Sequence, residues 1–158
     1  IMDIQLMVAL GKASAAIGLG MAAIGSALGT GIAGMAAIGA WKKAYAQDRS
    51  ASFIIIAFIG APLSQTIYGM ILMNIILGAC EEAIASNAAF VDWPAMLAAG
   101  LVGGLAMCFS SWFQGKAGAA AADALGETGQ GFGNYLITIG VVETVALFVM
   151  VFIQGTFQ

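Results

Sequence analysis

The chain lacks histidine altogether and is poor in charged residues, which make up 8% of its 158 residues. Soluble domains carry about 25% charged residues, so this composition excludes an ordinary soluble domain. The absence of histidine removes the commonest general base and metal ligand. The two cysteines, Cys80 and Cys108, fit no metal-site or disulfide spacing, and we interpret them as small apolar packing residues.

Three long stretches of the chain, 13–41, 50–80 and 93–115, carry no charge, and a fourth apolar stretch, 128–158, carries Glu143 alone. Each holds about 20 or more largely apolar residues, enough to cross a hydrocarbon core about 30 Å thick. The sequence therefore predicts an all-α membrane protein with four transmembrane helices, and it leaves no room for a soluble catalytic domain. The predicted helices cover about residues 3–41, 51–80, 94–123 and 133 to the C-terminus.

The charges of the connecting segments predict an orientation in the membrane. Segment 41–50 holds three of the five basic residues, Lys42, Lys43 and Arg49. The positive-inside rule places such a segment in the cytoplasm. Segment 81–93 holds acidic residues and no basic residue, so we expect it outside. With four spans, both termini are then expected outside as well.

The first predicted helix carries small residues at spacings of mostly three or four, which places them on one face. They are Gly11, Ser14, Gly18, Ala22, Gly25, Gly29, Ala33 and Ala36. Such a stripe lets helix backbones approach closely where lipid provides no hydrophobic drive for association. The length of the stripe favours an oligomer over an ordinary packing face within a monomeric bundle.

The two halves of the chain resemble each other. The segment GTGIAGMAA at residues 29–37 parallels FQGKAGAAA at residues 113–121, and each leads to a polar loop and a more aliphatic helix. We predict a duplicated helical hairpin, with repeats 1–80 and 81–158. The repeats run in the same direction, unlike the inverted repeats of many secondary transporters.

A carboxylate interrupts the fourth predicted helix. Residues 137–152 are apolar except for one threonine and the pair Glu143 and Thr144. A carboxylate at the centre of a spanning helix costs roughly 2.5 to 3.5 kcal/mol, which indicates a use in binding an ion or a proton. At about 1.5 Å per residue, Glu143 and Gln114 each lie about 15 Å from the cytoplasmic loop, and Gln65 lies near that level.

Groups that can offer an oxygen atom as a ligand to a cation dominate at this depth. They are the Glu143 carboxylate, the side-chain carbonyls of Gln65 and Gln114, the hydroxyls of Ser64 and Thr144, and a backbone carbonyl freed near Pro62. Hard cations take oxygen ligands, and one carboxylate balances one monovalent charge. A proton needs fewer partners, so the set favours Na⁺, with H⁺ as the alternative. A non-transporting four-helix membrane scaffold is the alternative from a different class.

Two further side chains lie near this set. Tyr68 lies four residues after Ser64 on the same helix face, so its hydroxyl can donate to Glu143. Lys116 lies two residues after Gln114, on another side of the helix. We interpret it as a snorkelling cation, because a permanent positive charge beside Glu143 would compete with a bound ion.

Several of these motifs together resemble one family. The glycine-rich duplicated hairpin, the segments PLSQTIYG and FQGKAGAA, and the glutamate within VVETVALFVMVF are similar to the proteolipid K (c-type) subunit. This is the rotor-ring subunit of V-type rotary ATPases, and the likeness is to the bacterial sodium-motive kind. The resemblance implies an ion held by Glu143, Gln114, Gln65, the Ser64 hydroxyl and the Ala61 carbonyl, with Tyr68 bonded to Glu143.

The same resemblance implies partners and a location. About ten copies would form a ring in the plasma membrane of a bacterium, surrounded by lipid and turning past a stator subunit that supplies an arginine. A central stalk would sit on loops 41–50 and 124–131, and a separate soluble head would hydrolyse ATP. The chain has no phosphate loop of the GxxxxGKS or GxxxxGKT kind, so we expect no catalysis by the chain alone and no nucleic-acid partner.

Overall fold

The computed structural model describes residues 3–157, and this part of the chain forms four long helices without strands. We number them α1, α2, α3 and α4. They span Ile4–Ala46, Phe53–Ala85, Trp93–Thr128 and Phe132–Thr156. All four are long and apolar enough to cross a membrane. The predicted all-α class with four candidate transmembrane helices is thereby confirmed.

The first connection is shorter than the sequence predicts. Helix α1 continues to Ala46, so only the last part of the predicted loop 41–50 is non-helical. Lysine, alanine and tyrosine are tolerated in a helix, and neither proline nor glycine interrupts this stretch. The indole Nε1 of Trp41 donates to the carbonyl oxygen of Ser52 over 2.8 Å. This bond holds the start of α2 against the end of α1.

The second and third connections are shortened in the same way. Helix α2 takes up the first residues of the predicted outer loop 81–93. Helix α3 continues to Thr128, within the predicted loop 124–131. The chain turns at Gly129 and Gly131, whose φ angles are 66° and 88°. Glycine has no Cβ and adopts these left-handed conformations without strain, so the helix ends where the glycines begin.

Helices α1 and α3 run parallel and pack most extensively against each other. A Cβ atom built on Gly115 would lie 2.3 Å from the Cα of Gly29, and one built on Gly100 would lie 2.2 Å from the carbonyl oxygen of Ser14. These contacts advance in the same direction along both helices. Because no side chain fits between the two backbones, the small residues set the distance between the helices.

Helix α2 is interrupted at Pro62, where the chain forms a 3₁₀ turn over Ala61–Leu63. Proline has no N–H and cannot donate to the carbonyl of Phe58, four residues earlier. The carbonyl of Pro62 accepts a hydrogen bond of 2.7 Å from the Ser111 hydroxyl of α3. The interruption is therefore fixed against α3, and the helical segment that follows starts beside α3.

Among residues 3–157, no helix packs against one face of α4, and the large side chains of this face are apolar. Its exposed large side chains are Ile137, Val141, Val145, Phe148 and Phe152. A continuous apolar face of this kind is typical of a surface that contacts lipid or a partner protein. Glu143, which is half-buried, lies on the same helix and on the side that faces α2 and α3.

Candidate ion-binding site

Glu143 is the acidic side chain around which the site is built. The Tyr68 hydroxyl of α2 donates to its Oε1 over 2.7 Å. The Gln114 amide nitrogen of α3 donates to its Oε2 over 3.1 Å. Each carboxylate oxygen has one donor from a different neighbouring helix. The carboxylate is therefore held where three helices meet, with a fixed orientation.

Gln65 and Gln114 are fully buried and bonded to each other. Gln65 Nε2 donates to Gln114 Oε1 over 2.8 Å and to the Ser110 hydroxyl over 3.4 Å. Gln114 Nε2 also donates to the backbone carbonyl of Ile139 over 3.3 Å. Buried amides need such partners. Within residues 3–157, no buried side-chain nitrogen or oxygen lacks a hydrogen-bond partner.

Ser64 and Ala61 lie on the oxygen side of Gln65. The Ser64 hydroxyl is 3.2 Å from Gln65 Oε1 and 3.1 Å from the carbonyl oxygen of Ala61. A hydroxyl, an amide oxygen and a backbone carbonyl are thus grouped on α2, next to its 3₁₀ turn. Because the hydroxyl has only one proton, it can donate to only one of the two acceptors at a time. The group therefore retains lone pairs that a cation can use.

Thr144 lies outside this network, although the sequence predicts that its hydroxyl contributes to the site. The side chain is exposed, and its hydroxyl donates to the carbonyl of Val141 in its own helix over 2.7 Å. Threonine often bonds to its own helix in this way. Successive residues differ by about 100° around a helix. The geometry that turns Glu143 towards α2 and α3 therefore turns Thr144 away from them, and the structure does not bring Thr144 into the site.

Lys116 packs against two aromatic rings of its own helix. Its ammonium lies 4.4 Å from the ring centroid of Trp112 and 5.0 Å from that of Phe113. Helical side chains lean towards the N-terminus, and here they bring the cation over the faces of two rings. No lysine or arginine among the described residues forms an ion pair with Glu143.

Ser110 belongs to the network, and the sequence analysis missed it. Its hydroxyl accepts from Gln65 and donates to the backbone carbonyl of Val142 over 3.0 Å. The spacing of four residues between Ser110 and Gln114 puts both on one face of α3, and this is the signal that could have identified it. The carbonyls of Ile139 and Val142 carry no side-chain signal, so no pattern of residues could have identified them.

The possible ion ligands of the site are one carboxylate and several neutral oxygens. In the part of the chain that the structure describes, no group of three or more histidine, cysteine, aspartate or glutamate side chains comes together. One negative charge with neutral oxygen ligands suits a monovalent cation. The same carboxylate can also take up a proton, with Tyr68 and Gln114 as its hydrogen-bond partners.

The fold and the site together define a class of protein, in which four membrane-length helices enclose one carboxylate among neutral polar groups. Residues 97–153 match the family model of the ATP synthase C subunit. The matched part covers most of α3 and α4 and includes both Gln114 and Glu143. A comparison of the chain with curated proteins finds no match.

The family match supports a rotor proteolipid, the ion-translocating subunit of ATPase complexes. Members of this family are non-catalytic, which confirms the prediction that the chain is not an enzyme by itself. The family binds transported H⁺ or Na⁺ and forms oligomeric rings beside a stator. The match covers less than half of the chain, and it distinguishes neither Na⁺ from H⁺ nor a V-type ATPase from other rotary ATPases.

Proposed function

We propose that the chain is a rotor-ring subunit of a V-type rotary ATPase and carries Na⁺ across the membrane at Glu143. The observation that supports this proposal is the arrangement around the carboxylate. Two neighbouring helices each donate one hydrogen bond to Glu143. Beside this point, the oxygens of Gln65, Ser64 and Ala61 are grouped on α2.

In this proposal, Na⁺ is the transported substrate. Its ligands are Glu143, Gln65, Gln114, the Ser64 hydroxyl and the Ala61 carbonyl. Gln114 Oε1 accepts one hydrogen bond from Gln65, and a carbonyl oxygen has a second lone pair that can face an ion. Tyr68 bonds to Glu143 and holds the carboxylate in place without being a ligand itself.

The position of Glu143 explains how a bound ion permits rotation through lipid. With Na⁺ bound, the carboxylate is neutralised, and the exposed face of α4 is apolar. Without the ion, a bare carboxylate in lipid costs roughly 2.5 to 3.5 kcal/mol. Exchange of the ion is therefore confined to the contact with a stator subunit, whose arginine can pair with the empty carboxylate.

The proposed assembly is a ring of about ten copies in the plasma membrane of a bacterium. Each copy consists of two hairpins, residues 1–80 and 81–158, and the parallel course of α1 and α3 supports this division. Both termini lie outside. The cytoplasmic turns within 41–50 and 124–131 then form the seat for a central stalk driven by a soluble ATP-hydrolysing head. Native mass spectrometry of the detergent-purified assembly tests the ring, because a monomeric mass contradicts it.

The second candidate is the same rotor carrying H⁺, and one observation favours it. Both carboxylate oxygens of Glu143 have hydrogen-bond partners within the chain, Tyr68 at Oε1 and the Gln114 amide nitrogen at Oε2. A protonated Glu143 fits this arrangement with its proton on Oε1, because the Tyr68 hydroxyl can accept as well as donate, while Oε2 accepts from Gln114. The two candidates differ in whether Gln65 is needed as an ion ligand.

Uptake of radioactive sodium into inverted membrane vesicles, driven by ATP, distinguishes the candidates. We expect uptake that persists when a protonophore collapses the proton gradient, and at least about a tenfold loss in Gln65→Leu, because the buried oxygen ligand is removed. Gln154→Leu is the matched control, since Gln154 bonds only to its own helix near the end of α4. Proton-driven acidification without sodium uptake, retained in Gln65→Leu, would instead identify the proton rotor.

A further inference from the structure

We infer that Ser110 is a positioning residue of the ion site. It fixes the orientation of the buried Gln65 amide, so that the oxygen of this amide, and not its nitrogen, faces Ser64 and Ala61. The inference rests on the proposed function, in which Gln65 supplies an oxygen ligand to Na⁺. Ser110 itself acts through Gln65 and is not a ligand.

The Ser110 hydroxyl has a single proton to donate. Ser110 is 7% exposed, and its hydroxyl donates to the backbone carbonyl of Val142 over 3.0 Å. A carbonyl oxygen can only accept. Because the proton is committed to Val142, Ser110 can only accept from its other neighbour, Gln65. The group of Gln65 that faces Ser110, at 3.4 Å, must therefore be the NH₂.

Gln114 constrains the Gln65 amide independently of Ser110. Its Nε2 faces two acceptors of α4, the carbonyl of Ile139 at 3.3 Å and Oε2 of Glu143 at 3.1 Å. With the nitrogen fixed on that side, Gln114 turns its oxygen towards Gln65. This oxygen lies 2.8 Å from the amide of Gln65. The Gln65 atom that faces it must therefore also be a donor. Both N–H groups of Gln65 are then used, and its oxygen remains for the side of Ser64.

A reversed Gln65 amide would be unfavourable in two places. Its oxygen would meet the lone pair of Ser110 and the oxygen of Gln114, and its NH₂ would face the cation. Bulk water does not reach these contacts, because Gln65 and Gln114 are 0% exposed. Removing the Ser110 hydroxyl eliminates one of the two constraints and leaves one N–H of Gln65 without a partner. The orientation of the amide then depends on the bond to Gln114 alone, so the reversed orientation becomes less unfavourable.

The test is the reaction of Glu143 with a carbodiimide in the purified assembly, measured over a series of NaCl concentrations. The reaction needs a protonated carboxyl, so bound Na⁺ slows it. In Ser110→Ala, we expect the NaCl concentration for half-maximal protection to rise about tenfold. We expect the labelling rate without Na⁺ to stay at the wild-type value, because neither donor to Glu143 is removed.

The matched control is Ser14→Ala, a buried serine on α1 whose hydroxyl bonds to Gly11 of its own helix. It removes a buried hydroxyl of the same size, and we expect unchanged protection. Ser110→Cys is a second variant for the case that alanine prevents assembly. Its thiol has nearly the size of the serine side chain but is a weak acceptor, so the same rise is expected.

Three results would overturn the inference. The first is that Ser110→Ala and Ser110→Cys are both protected at the same NaCl concentration as the wild type. The second is that Ser14→Ala raises the NaCl concentration for half-maximal protection as much as Ser110→Ala does. The third is that the labelling rate without Na⁺ changes by the same factor as this concentration. An equal rise in the control would indicate general loosening of the bundle. Failure of the proposed function has a different signature. In that case Na⁺ does not protect the wild-type protein at all.

Discussion

Substitution of Gly29 by alanine tests the close packing of α1 against α3. A Cβ at this position would lie 2.4 Å from the carbonyl oxygen of Ser111 and 2.7 Å from Cβ of Pro62. Ordinary Cβ contacts begin near 3.4 Å. Since packed interiors contain little free space, the backbones must move apart by about 1 Å to admit the methyl group.

The expected loss of stability follows from two opposing effects. Forcing one extra carbon into a well-packed interior costs about 1–3 kcal/mol. Replacing glycine by alanine within a helix favours folding by up to about 1 kcal/mol. We therefore expect Gly29→Ala to lower the free energy of unfolding by about 1–2 kcal/mol.

Denaturation of the detergent-purified protein, followed by circular dichroism, measures this difference. The matched control is Gly31→Ala, two residues further along the same helix, where an added Cβ meets nothing within 4 Å. We expect this control to be as stable as the wild type or slightly more stable, because only the helix propensity changes. Equal destabilisation by both substitutions, or none by Gly29→Ala, would refute the close approach of the two backbones.

Three further substitutions test other contacts. Tyr68→Phe removes the donor to Oε1 of Glu143, and about a tenfold weaker protection of the carboxyl by NaCl against carbodiimide is expected, since hydrogen bonds to charged groups are strong. Trp41→Phe removes the bond to the Ser52 carbonyl, so limited proteolysis should cut the connection before α2 faster than in the wild type. Lys43→Ala breaks an exposed ion pair, and the thermal midpoint should not change, because water screens such pairs. A clear drop in that midpoint would show that the pair is structural.

The small-residue stripe shows what a residue pattern can predict. The spacing of three and four residues predicts one packed face on α1, and its members are buried except for Ala36, where the neighbouring Ala37 is buried instead. The level of Glu143, Gln65 and Gln114 also follows from counting residues, because the rise per residue of a helix is constant.

Other features could not be obtained from the sequence. The lengths of the connections depend on where a helix ends, and alanine-rich segments such as the one before Gly129 carry no stop signal of their own. The role of Ser110 depends on backbone carbonyls of another helix. The direction of Lys116 depends on two aromatic rings one turn away. All three are properties of tertiary packing, which side-chain periodicity does not encode.

The central claim is that Glu143 binds the transported Na⁺. Carbodiimide labelling of the purified wild-type assembly tests it most directly, with and without NaCl, from mildly acidic to mildly alkaline pH. If the claim is correct, NaCl slows labelling at Glu143 and a lower pH restores it, because Na⁺ and the proton compete for one carboxylate. Labelling that depends on pH alone would contradict the claim and identify a proton carrier. A Glu143 that never reacts under any of these conditions would contradict ion carriage altogether.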